Sequence, residues 1–421
     1  MCFCTANALD YHCVLSKLRM RDQAFLSMSA FTATSCLGTG LVSLRSNLLA
    51  QHTGLVPCQF ESVDLETYSG ITNIPDDQAF LPTELQNFDC RNNRLAFWGL
   101  QQDGFIDAVE NVKCHFEKTR IGVFLGTSTS GMLQTEKGYR ELDPQTGTLP
   151  SWVNYRYAQN ACSVAHFVRL VLGLCGPTAV VSTACSSSAK VFSLAQRMLL
   201  LGAIDAAIVG GVDSLCLTTL YGFHSLQLLS QNPCKPYDSN RDGISIGEAA
   251  TFALLTRDDD NTPSGSLLIK GVGESSDAYH MSSPHPEGLG ARQAMQLALQ
   301  QAGLATSQID YIHLHGTATQ NNDAIESVAV WEVFKDKLPV SSTKGATGHC
   351  LGAAGALNVA IGALALQQQT AWGSPGTEKL DEALSPIHYL MHNTARTMNH
   401  VLSNSFGFGG SNCSIVLGLK D

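Results

Sequence analysis

The chain has 421 residues, of which 44% are hydrophobic and 15% charged, so it can bury a large core and should form two or three structural units. Its formal net charge of −10 and its lack of any basic run argue against a nucleic-acid-binding protein. Its 14 cysteines show no CxxC pair and no zinc-finger spacing, which argues against a zinc domain and suits the reducing cytoplasm.

The beginning of the chain differs from the rest. Residues 1–25 are polar and aperiodic and lack the apolar core of a secretory signal, so we predict an N-terminal extension that is not part of the fold. A strand-like segment begins near Leu26. The most apolar stretch, 351–366, is about 16 residues long, shorter than the roughly 20 residues of a membrane span. We predict a buried helix there and no membrane association.

Short apolar strands then alternate with helical segments. "TRIGVFLGTSTSG" (119–131) is typical of a strand followed by a turn, and "TAVVSTA" (178–184) of a second strand. "SSSAKVFSLAQRMLLLG" (186–202) is typical of a helix that ends at glycine. Two further strands follow in "DAAIVGGVDS" and "ATFALLTR". This alternation predicts an α/β fold with buried strands.

The second part of the chain repeats this plan. "IDYIHLHGTAT" (309–319) parallels the segment at 119, and "LPVSSTKGATGHCLGAAGALNVAIGALAL" (338–366) parallels the strand, turn and helix around residue 185. One α/β unit used twice predicts two halves, residues 26–265 and 266–421. The repeat places Cys185 of the first half and His349 of the second at equivalent helix starts.

Four side chains that can carry chemistry lie at predicted strand ends or helix starts: Cys185, His315, Lys344 and His349. Open α/β sheets bind ligands at these ends. A buried cysteine is commonly a small core residue, but a helix N-terminus favours its thiolate, which is the nucleophile. A cysteine with two histidines and a lysine can transfer an acyl group through a thioester and stabilise an enolate.

His313, and the His-x-His pair that it forms with His315, are not predicted to take part in the chemistry as a catalytic residue and a metal site. His313 faces the opposite side of its strand from His315 and is predicted to be a core residue. No further ligands with zinc-like spacing accompany this His-x-His pair, so we expect no metal.

Five motifs together resemble a known family: "STACSSSAK", "PYDSNRDGISIGEAA", "HGTATQNND", "STKGATGHCLGAAGA" and "NSFGFGGSN". Their order and spacing are similar to those of the β-ketoacyl-acyl-carrier-protein synthases, the elongating condensing enzymes of the thiolase superfamily. The resemblance covers about residues 26–421. It implies a thiolase-like fold, in which two pseudo-duplicated α/β halves form an αβαβα arrangement. It also implies a decarboxylative Claisen condensation of a cysteine-bound acyl chain with malonyl-acyl-carrier protein.

The resemblance implies roles for the four reactive side chains. Cys185 would take the growing acyl chain from its carrier as a thioester. His315 and His349 would hold the malonyl thioester carbonyl and favour decarboxylation. Lys344 would orient His349 and supply positive charge near it. The product would be a 3-oxoacyl thioester two carbons longer.

The resemblance also implies substrate contacts. Backbone N–H groups of Cys185 and Phe408 would form the oxyanion hole. Thr317 and Thr319 would hydrogen-bond the phosphopantetheine arm that carries the substrate, and no separate cofactor is expected. Phe406 and Phe408 would contact the substrate, with Phe408 gating the acyl pocket.

Three positions depart from the family pattern. Ala318 stands where "HGTGT" has glycine, and Asn358 stands where a glutamate usually pairs with the lysine. Asparagine can accept a hydrogen bond but cannot neutralise Lys344. Thr129 stands where fatty-acid enzymes tend to have an aliphatic residue at the pocket floor, which predicts a shorter or an unsaturated acyl chain.

The expected partner is an acidic acyl-carrier protein, so an acidic chain must dock it through a local basic patch. The candidates are Arg91, Arg94, Lys137 and Arg140. Family members pair their sheets across a two-fold axis, so we expect a homodimer, with a heterodimer with a second ketosynthase-like subunit as the alternative.

Two functional questions stay open at this stage. The pathway is either fatty-acid elongation or a specialised one, such as a polyketide or an aryl polyene. The alternative to a self-sufficient enzyme is a non-catalytic or partner-dependent subunit that resembles a chain-length factor; a non-catalytic subunit would lack the nucleophile. A thiolase is less favoured, because thiolases use a second cysteine near the C-terminus as base, whereas Cys413 lies past the "FGFGGSN" turn.

Overall fold

The computed structural model describes residues 25–75, 80–335 and 338–421. The predicted N-terminal extension, residues 1–25, lies outside the described residues except for Phe25. The strands are β1 (Leu26–Ser35), β2 (Val56–Pro57), β3 (Tyr68–Gly70), β4 (Ile121–Gly126), β5 (Thr178–Val181), β6 (Ala206–Asp213), β7 (Ile246–Gly247), β8 (Ala249–Arg257), β9 (Leu267–Ser276), β10 (Tyr311–His313), β11 (Pro339–Ser341), β12 (Thr370–Ala371), β13 (His388–Tyr389), β14 (Thr394–Ala395), β15 (His400–Gly407) and β16 (Ser411–Leu419).

The α-helices are α1 (Gly40–Leu49), α2 (Arg91–Leu100), α3 (Phe105–Lys113), α4 (Met132–Arg140), α5 (Ser163–Val171), α6 (Ser187–Leu200), α7 (Leu217–Ser225), α8 (Leu289–Ala302), α9 (Gln320–Phe334), α10 (Lys344–Thr347) and α11 (Ala354–Gln368). Short 3₁₀ turns are formed by Thr83–Phe88, Lys118–Arg120, Thr306–Gln308, Leu351–Ala353 and Phe408–Gly410, and a π-helical turn by Tyr155–Gln159.

The main sheet repeats one strand plan twice. Its order is β13-β11-β10-β15-β16-β9-β1-β8-β6-β4-β5. In the first half, β1, β8 and β6 are antiparallel neighbours, and β6, β4 and β5 are parallel. In the second half, β9, β16 and β15 are antiparallel, and β15, β10 and β11 are parallel. The predicted duplication is therefore visible in the topology, with β1 and β9 joining the halves and the 265/266 boundary in the loop between β8 and β9.

Two long helices form the centre of the molecule. α6 and α11 pack against each other, and each also packs against strands of both halves of the sheet. α2 and α5 cover the outer side of the first half, while α8 covers the second half and packs against α9. This is the predicted αβαβα layering.

The buried central position of α11 explains its composition. The segment Leu351–Gln368 is apolar and long enough to cross a membrane by length and composition, but 89% of it is buried inside the protein. A helix that is hydrophobic on all sides needs apolar neighbours all round, which the two halves of the sheet supply. The prediction of a buried helix is confirmed.

The parallel strands explain where the reactive residues lie. β5 ends four residues before Cys185, β10 ends two residues before His315, and β11 ends three residues before Lys344. The carboxyl ends of parallel strands point to one edge, and ligands bind there in α/β proteins. The packing of the two halves brings these ends together around one cavity.

Candidate active site

Cys185 lies in a tight turn between β5 and α6. Ala184, directly before it, has a φ of 53°, a conformation that is costly for a residue with a side chain. The Ser187 hydroxyl donates to the Ala184 carbonyl oxygen at 2.5 Å, and the Ser186 hydroxyl donates to the Thr183 carbonyl oxygen at 2.9 Å. These serines satisfy the turn internally, so the sulfur stays directed to the cavity at the start of α6.

Two glycines allow the rest of the fold to approach this turn closely. A side-chain carbon at Gly126, the end of β4, would overlap the Ser188 backbone. One at Gly407 would lie 2.7 Å from the Thr183 carbonyl oxygen. The absence of a side chain at both positions is therefore needed to hold the turn in place.

The cysteine and the two predicted histidines meet in space. The Cys185 sulfur and one ring nitrogen of each of His315 and His349 all lie within 4.8 Å of one another. The two imidazole rings are nearly perpendicular, with centroids 5.4 Å apart. His349 Nδ1 accepts the Leu351 backbone N–H at 3.1 Å, so the ring proton sits on Nε2. Nε2 has no partner among the described residues and can donate to a substrate.

Burial keeps the Cys185 thiol and both imidazoles uncharged near pH 7. Burial raises the pKa of the Cys185 thiol to about 11, against the lowering effects of Lys344 and of the backbone N–H groups of Phe408 and Cys185 itself. The two N–H groups named for the oxyanion hole thus lie against the sulfur. Burial, and then the charge of Lys344, holds the pKa values of His315 and His349 well below their usual range, so both imidazoles are neutral near pH 7.

Three ligand-type atoms in such a group resemble a zinc site. Lys344 adds positive charge to the same buried region, which opposes the binding of a cation.

His313 is buried outside the cavity, where its Nε2 contacts the Thr343 hydroxyl at 3.0 Å, in line with the core role predicted for it.

The Lys344 ammonium group donates to the His315 carbonyl oxygen. Its positive charge also lowers the pKa of His349, and the prediction that it orients this ring stays a prediction. Burial lowers the pKa of Lys344, and the negative charge of Glu326 opposes this. The Glu326 carboxylate is itself buried and accepts the backbone N–H groups of His315 and Gly316, each at 2.8 Å. Lys344 and Glu326 therefore both hold the segment that carries His315.

Glu326 was not singled out from the sequence. The sequence feature that could have indicated Glu326 is a pair of acidic residues one helical turn apart, Asp323 and Glu326, just after the histidine motif. Both lie on the buried face of α9. Asp323 accepts the Thr317 N–H at 3.0 Å and so fixes the next turn of the same loop. Asn358 donates to the Asn404 carbonyl oxygen at 3.1 Å, while Asn404 donates to Glu326 at 3.3 Å. The buried acidic charge near Lys344 thus comes from α9, not from position 358.

Replacing Lys344 with methionine is expected to raise the pKa of the Cys185 thiol, because Lys344 is the largest effect that lowers it. Each unit of increase cuts the thiolate fraction about tenfold, so alkylation of Cys185 by iodoacetamide should slow at fixed pH by about tenfold for each unit that the pKa rises. The measurement is the alkylation rate between pH 7 and 10. Lys190→Met, on α6 but paired with Glu274 at 3.8 Å, is the matched control. Equal rates for Lys344→Met and the wild type would contradict this role.

The cavity has a volume of about 200 Å³ and contains most of the predicted substrate contacts. Thr317 and Thr319 line it, with their hydroxyl oxygens 3.0 Å apart. Phe406 and Phe408 line it as well, and the Phe408 ring packs against Phe223 with centroids 5.7 Å apart. Ala318, between the threonines, has a φ of 70°, a conformation that glycine adopts more easily.

Thr129 does not line this cavity. Its hydroxyl donates to Asp213 at 2.7 Å, as does the hydroxyl of Thr127. Asp213 is a fully buried carboxylate at the end of β6 and needs these donors. The Thr129 hydroxyl is therefore bound to Asp213 in the single chain, and its place at the floor of the acyl pocket stays a prediction.

The four residues predicted to dock a carrier protein do not form an exposed basic patch. Arg91 contacts Glu248 and Arg94 contacts Asp89, both at 2.6 Å, with 11% and 9% of the arginine side chains exposed. Lys137 pairs with Glu61 at 2.8 Å, and Arg140 is exposed. Arg91 forms a structural ion pair, since the buried Glu248 needs a counter-charge. Arg91, Arg94 and Lys137 nevertheless line one polar cavity, and their role in docking a carrier protein stays a prediction.

Two family models match successive parts of the chain. The family model described as Beta-ketoacyl synthase, N-terminal domain, matches residues 97–261, and the one described as Beta-ketoacyl synthase, C-terminal domain, matches residues 267–377. The 3-oxoacyl-[acyl-carrier-protein] synthase 2 of Rhizobium meliloti is 37% identical over 70% of this chain and 72% of the relative. The protein of the same name from Vibrio cholerae is 33% identical over 91% of this chain and 96% of the relative.

Solved structures agree with the fold. A ketosynthase (ApeO) in complex with its chain length factor (ApeC) from Xenorhabdus doucetiae has a TM-score of 0.85 and 35% identity, covering 94% of this chain and 98% of the other. A beta-ketoacyl synthase from Burkholderia phymatum has a TM-score of 0.83 and 25% identity, covering 94% and 100%. These similarities confirm the predicted thiolase-like fold. By its sequence, its fold and its relatives, this chain belongs to the β-ketoacyl synthase family.

Proposed function

We propose that Cys185 is the nucleophile of a decarboxylative condensation and that His315 and His349 activate the malonyl unit. The chain is a condensing enzyme of fatty-acid or polyketide elongation, as its family and its relatives show. The observation that carries the residue roles is the meeting of the sulfur and two neutral imidazoles within 4.8 Å at one cavity.

The first step is acyl transfer to Cys185. The thiolate attacks the thioester carbonyl of the incoming acyl group, the carrier thiol leaves, and the acyl chain stays on the sulfur. Lys344 and the start of α6 favour the thiolate, and the Phe408 and Cys185 N–H groups stabilise the tetrahedral oxyanion. Burial raises the pKa of the resting thiol, so the thiol loses its proton as the sulfur attacks, and the departing carrier sulfur takes that proton up.

The second step uses the two histidines. Hydrogen bonds from neutral imidazoles to the malonyl thioester oxygen stabilise the enolate that forms as carbon dioxide leaves. The carbanion then attacks the Cys185 thioester, a carbon–carbon bond forms, and the carbon–sulfur bond breaks to restore the thiolate. The unpartnered Nε2–H of His349 is suited to this role, and Lys344 holds His315 through its carbonyl group.

The substrates are carried on the phosphopantetheine of an acyl-carrier protein, and the enzyme itself needs no other cofactor. Thr317 and Thr319 are proposed to hydrogen-bond this arm, since both line the cavity beyond the histidines. Phe408 is proposed as the gate, because its ring lines the cavity and packs against Phe223, which lines it too. We place the enzyme in the cytoplasm.

A second ketosynthase-like chain is the proposed partner. β5 is an edge strand with half-exposed residues, which can continue the sheet into a partner. The solved ApeO ketosynthase is in complex with its chain length factor, so a heterodimer is the arrangement to test beside the homodimer. This likeness also favours a specialised pathway over general fatty-acid elongation.

A non-catalytic, chain-length-factor-like role is not favoured, because this chain keeps the nucleophile and both histidines in contact distance. Cys413, the base that a thiolase would need, does not line the cavity.

The test is product formation from malonyl-acyl-carrier protein and a panel of acyl-carrier proteins, with the chain alone and with a candidate partner subunit. Short or polyunsaturated acyl chains should be elongated faster than medium-length saturated chains. Equal or faster turnover of the saturated chains would contradict the specialised pathway. The absence of any acyl adduct from every donor, with or without the partner, would support the non-catalytic role instead.

A further inference from the structure

The short helix α10 links Lys344 to the segment that ends at His349, and its carbonyl groups are contacted by three buried or half-buried thiols. The Cys234 sulfur lies 3.1 Å from the Lys344 carbonyl oxygen. The Cys36 sulfur lies 3.5 Å, and the Cys350 sulfur 3.7 Å, from the Thr347 carbonyl oxygen. We call Cys36, Cys234 and Cys350 the thiol cradle.

The cradle joins distant parts of the chain at one place. Cys36 directly follows β1 of the first half, Cys234 lies in the loop after α7, and Cys350 directly follows His349. Each thiol contacts a carbonyl group between Lys344 and His349. Cys36 and Cys234 thereby tie this turn to loops of the first half, while Cys350 holds it from within the second half.

The Thr347 carbonyl oxygen depends most on the cradle. Two thiols contact this buried oxygen, Cys36 at 3.5 Å and Cys350 at 3.7 Å, while the Cys350 sulfur also lies 3.6 Å from the Glu248 carbonyl oxygen. Two glycines also crowd it: a side-chain carbon at Gly70 would lie 2.7 Å from it, and one at Gly247 would overlap it. A buried carbonyl group without a donor is costly, so the thiols are needed where a bulkier donor has little room.

The thiols are able to donate at neutral pH. Burial raises the pKa of Cys36 to about 12 and that of Cys234 to about 11, and it raises the pKa of Cys350 well above its usual range. All three therefore keep the S–H proton that a hydrogen bond to a carbonyl oxygen requires.

We propose that Cys36, Cys234 and Cys350 are positioning residues that hold the turn from Lys344 to His349 in its reactive geometry. The inference rests on the proposed roles of Lys344 and His349. If the turn shifts, the His349 Nε2–H moves away from the malonyl carbonyl, while the Cys185 turn keeps its own serine hydrogen bonds. Decarboxylation should therefore suffer more than acyl transfer.

The experiment compares the Cys36→Ala/Cys350→Ala double variant, Cys234→Ala and Cys234→Ser with the wild type. Cys90→Ala is the matched control, because Cys90 is buried, like Cys234 and Cys350, but lies at the start of α2. Two half-reactions are measured: the decarboxylation of malonyl-acyl-carrier protein, and the acylation of Cys185 by intact mass. Thermal unfolding of each variant is recorded beside them.

The double variant should lose about tenfold in kcat for decarboxylation, while KM and the rate of acylation change by less than about twofold. Cys234→Ser keeps a donor and should retain more activity than Cys234→Ala. Cysteine variants with the same decarboxylation rate as Cys90→Ala would overturn the inference. An equal loss of both half-reactions would overturn it as well, because it would indicate a purely structural role. A wild-type protein that performs neither half-reaction would overturn the proposed function and this inference with it.

Discussion

Cys185→Ala is expected to abolish the acyl adduct and to lower condensation by at least about 10³-fold, because the thioester cannot form without the sulfur. The substitution removes one buried atom and leaves the turn intact, since the hydrogen bonds that shape the turn come from Ser186 and Ser187. The histidines keep their positions, so release of carbon dioxide from malonyl-acyl-carrier protein should persist. Intact mass after incubation with acyl-acyl-carrier protein measures the adduct, and product mass measures condensation.

Cys413→Ala is the control for this experiment. Cys413 is another buried thiol, which lies in β16 and does not line the cavity, so its loss should leave the adduct and the product unchanged. An acyl adduct that persists in Cys185→Ala would show that another residue is the nucleophile. Loss of condensation in Cys413→Ala at wild-type stability would bring back the thiolase-like alternative with two cysteines.

His349→Ala and His315→Ala are expected to lose decarboxylation and keep the acylation of Cys185, the reverse of the result for Cys185→Ala. Each should lower decarboxylation and condensation by about 10²–10³-fold, the usual effect of losing one hydrogen-bond donor to a developing oxyanion. Acylation of Cys185 should continue, because neither imidazole is its main electrostatic support. The two half-reactions are measured separately, by carbon dioxide release and by intact mass.

The pH dependence gives a second check on the histidines. Both pKa values lie well below 6.5, first through burial and then through Lys344, so the imidazoles stay neutral as the pH falls from 8 to 6. Decarboxylation should therefore be nearly constant over this range and decline only at lower pH, where the rings gain protons. A decline of the decarboxylation rate with a midpoint near pH 6.5 would contradict the conclusion that the imidazoles are buried and neutral. His313→Gln is the control, since His313 is buried but outside the cavity.

The main features of the fold could be predicted because they depend on local patterns. The repeated strand, turn and helix predicted two halves, and the sheet carries the same order and directions of five strands in each, with β13 added at the edge of the second. The positions of Cys185, His315 and His349 followed from the same patterns, because parallel strands place their carboxyl ends at one edge. The structure brings all three together.

The pairing of charged and polar side chains could not be predicted in the same way. Arg91 finds Glu248, 157 positions along the chain, and Thr129 finds Asp213, 84 positions along. Arg91, expected at the surface, and Thr129, expected in the pocket, therefore both contact buried carboxylates inside the protein.

The sequence by itself determined the α/β duplication, the family and the three reactive side chains, since these depend on periodicity and on motifs within single segments. Only the tertiary structure decided that Glu326 supplies a buried negative charge close to Lys344, that Lys344 holds His315, and that three thiols contact the turn before His349. The physical reason is that a buried charge or carbonyl group takes its partner from whatever lies nearest in space. That neighbour is set by how the two halves pack, not by its distance along the chain.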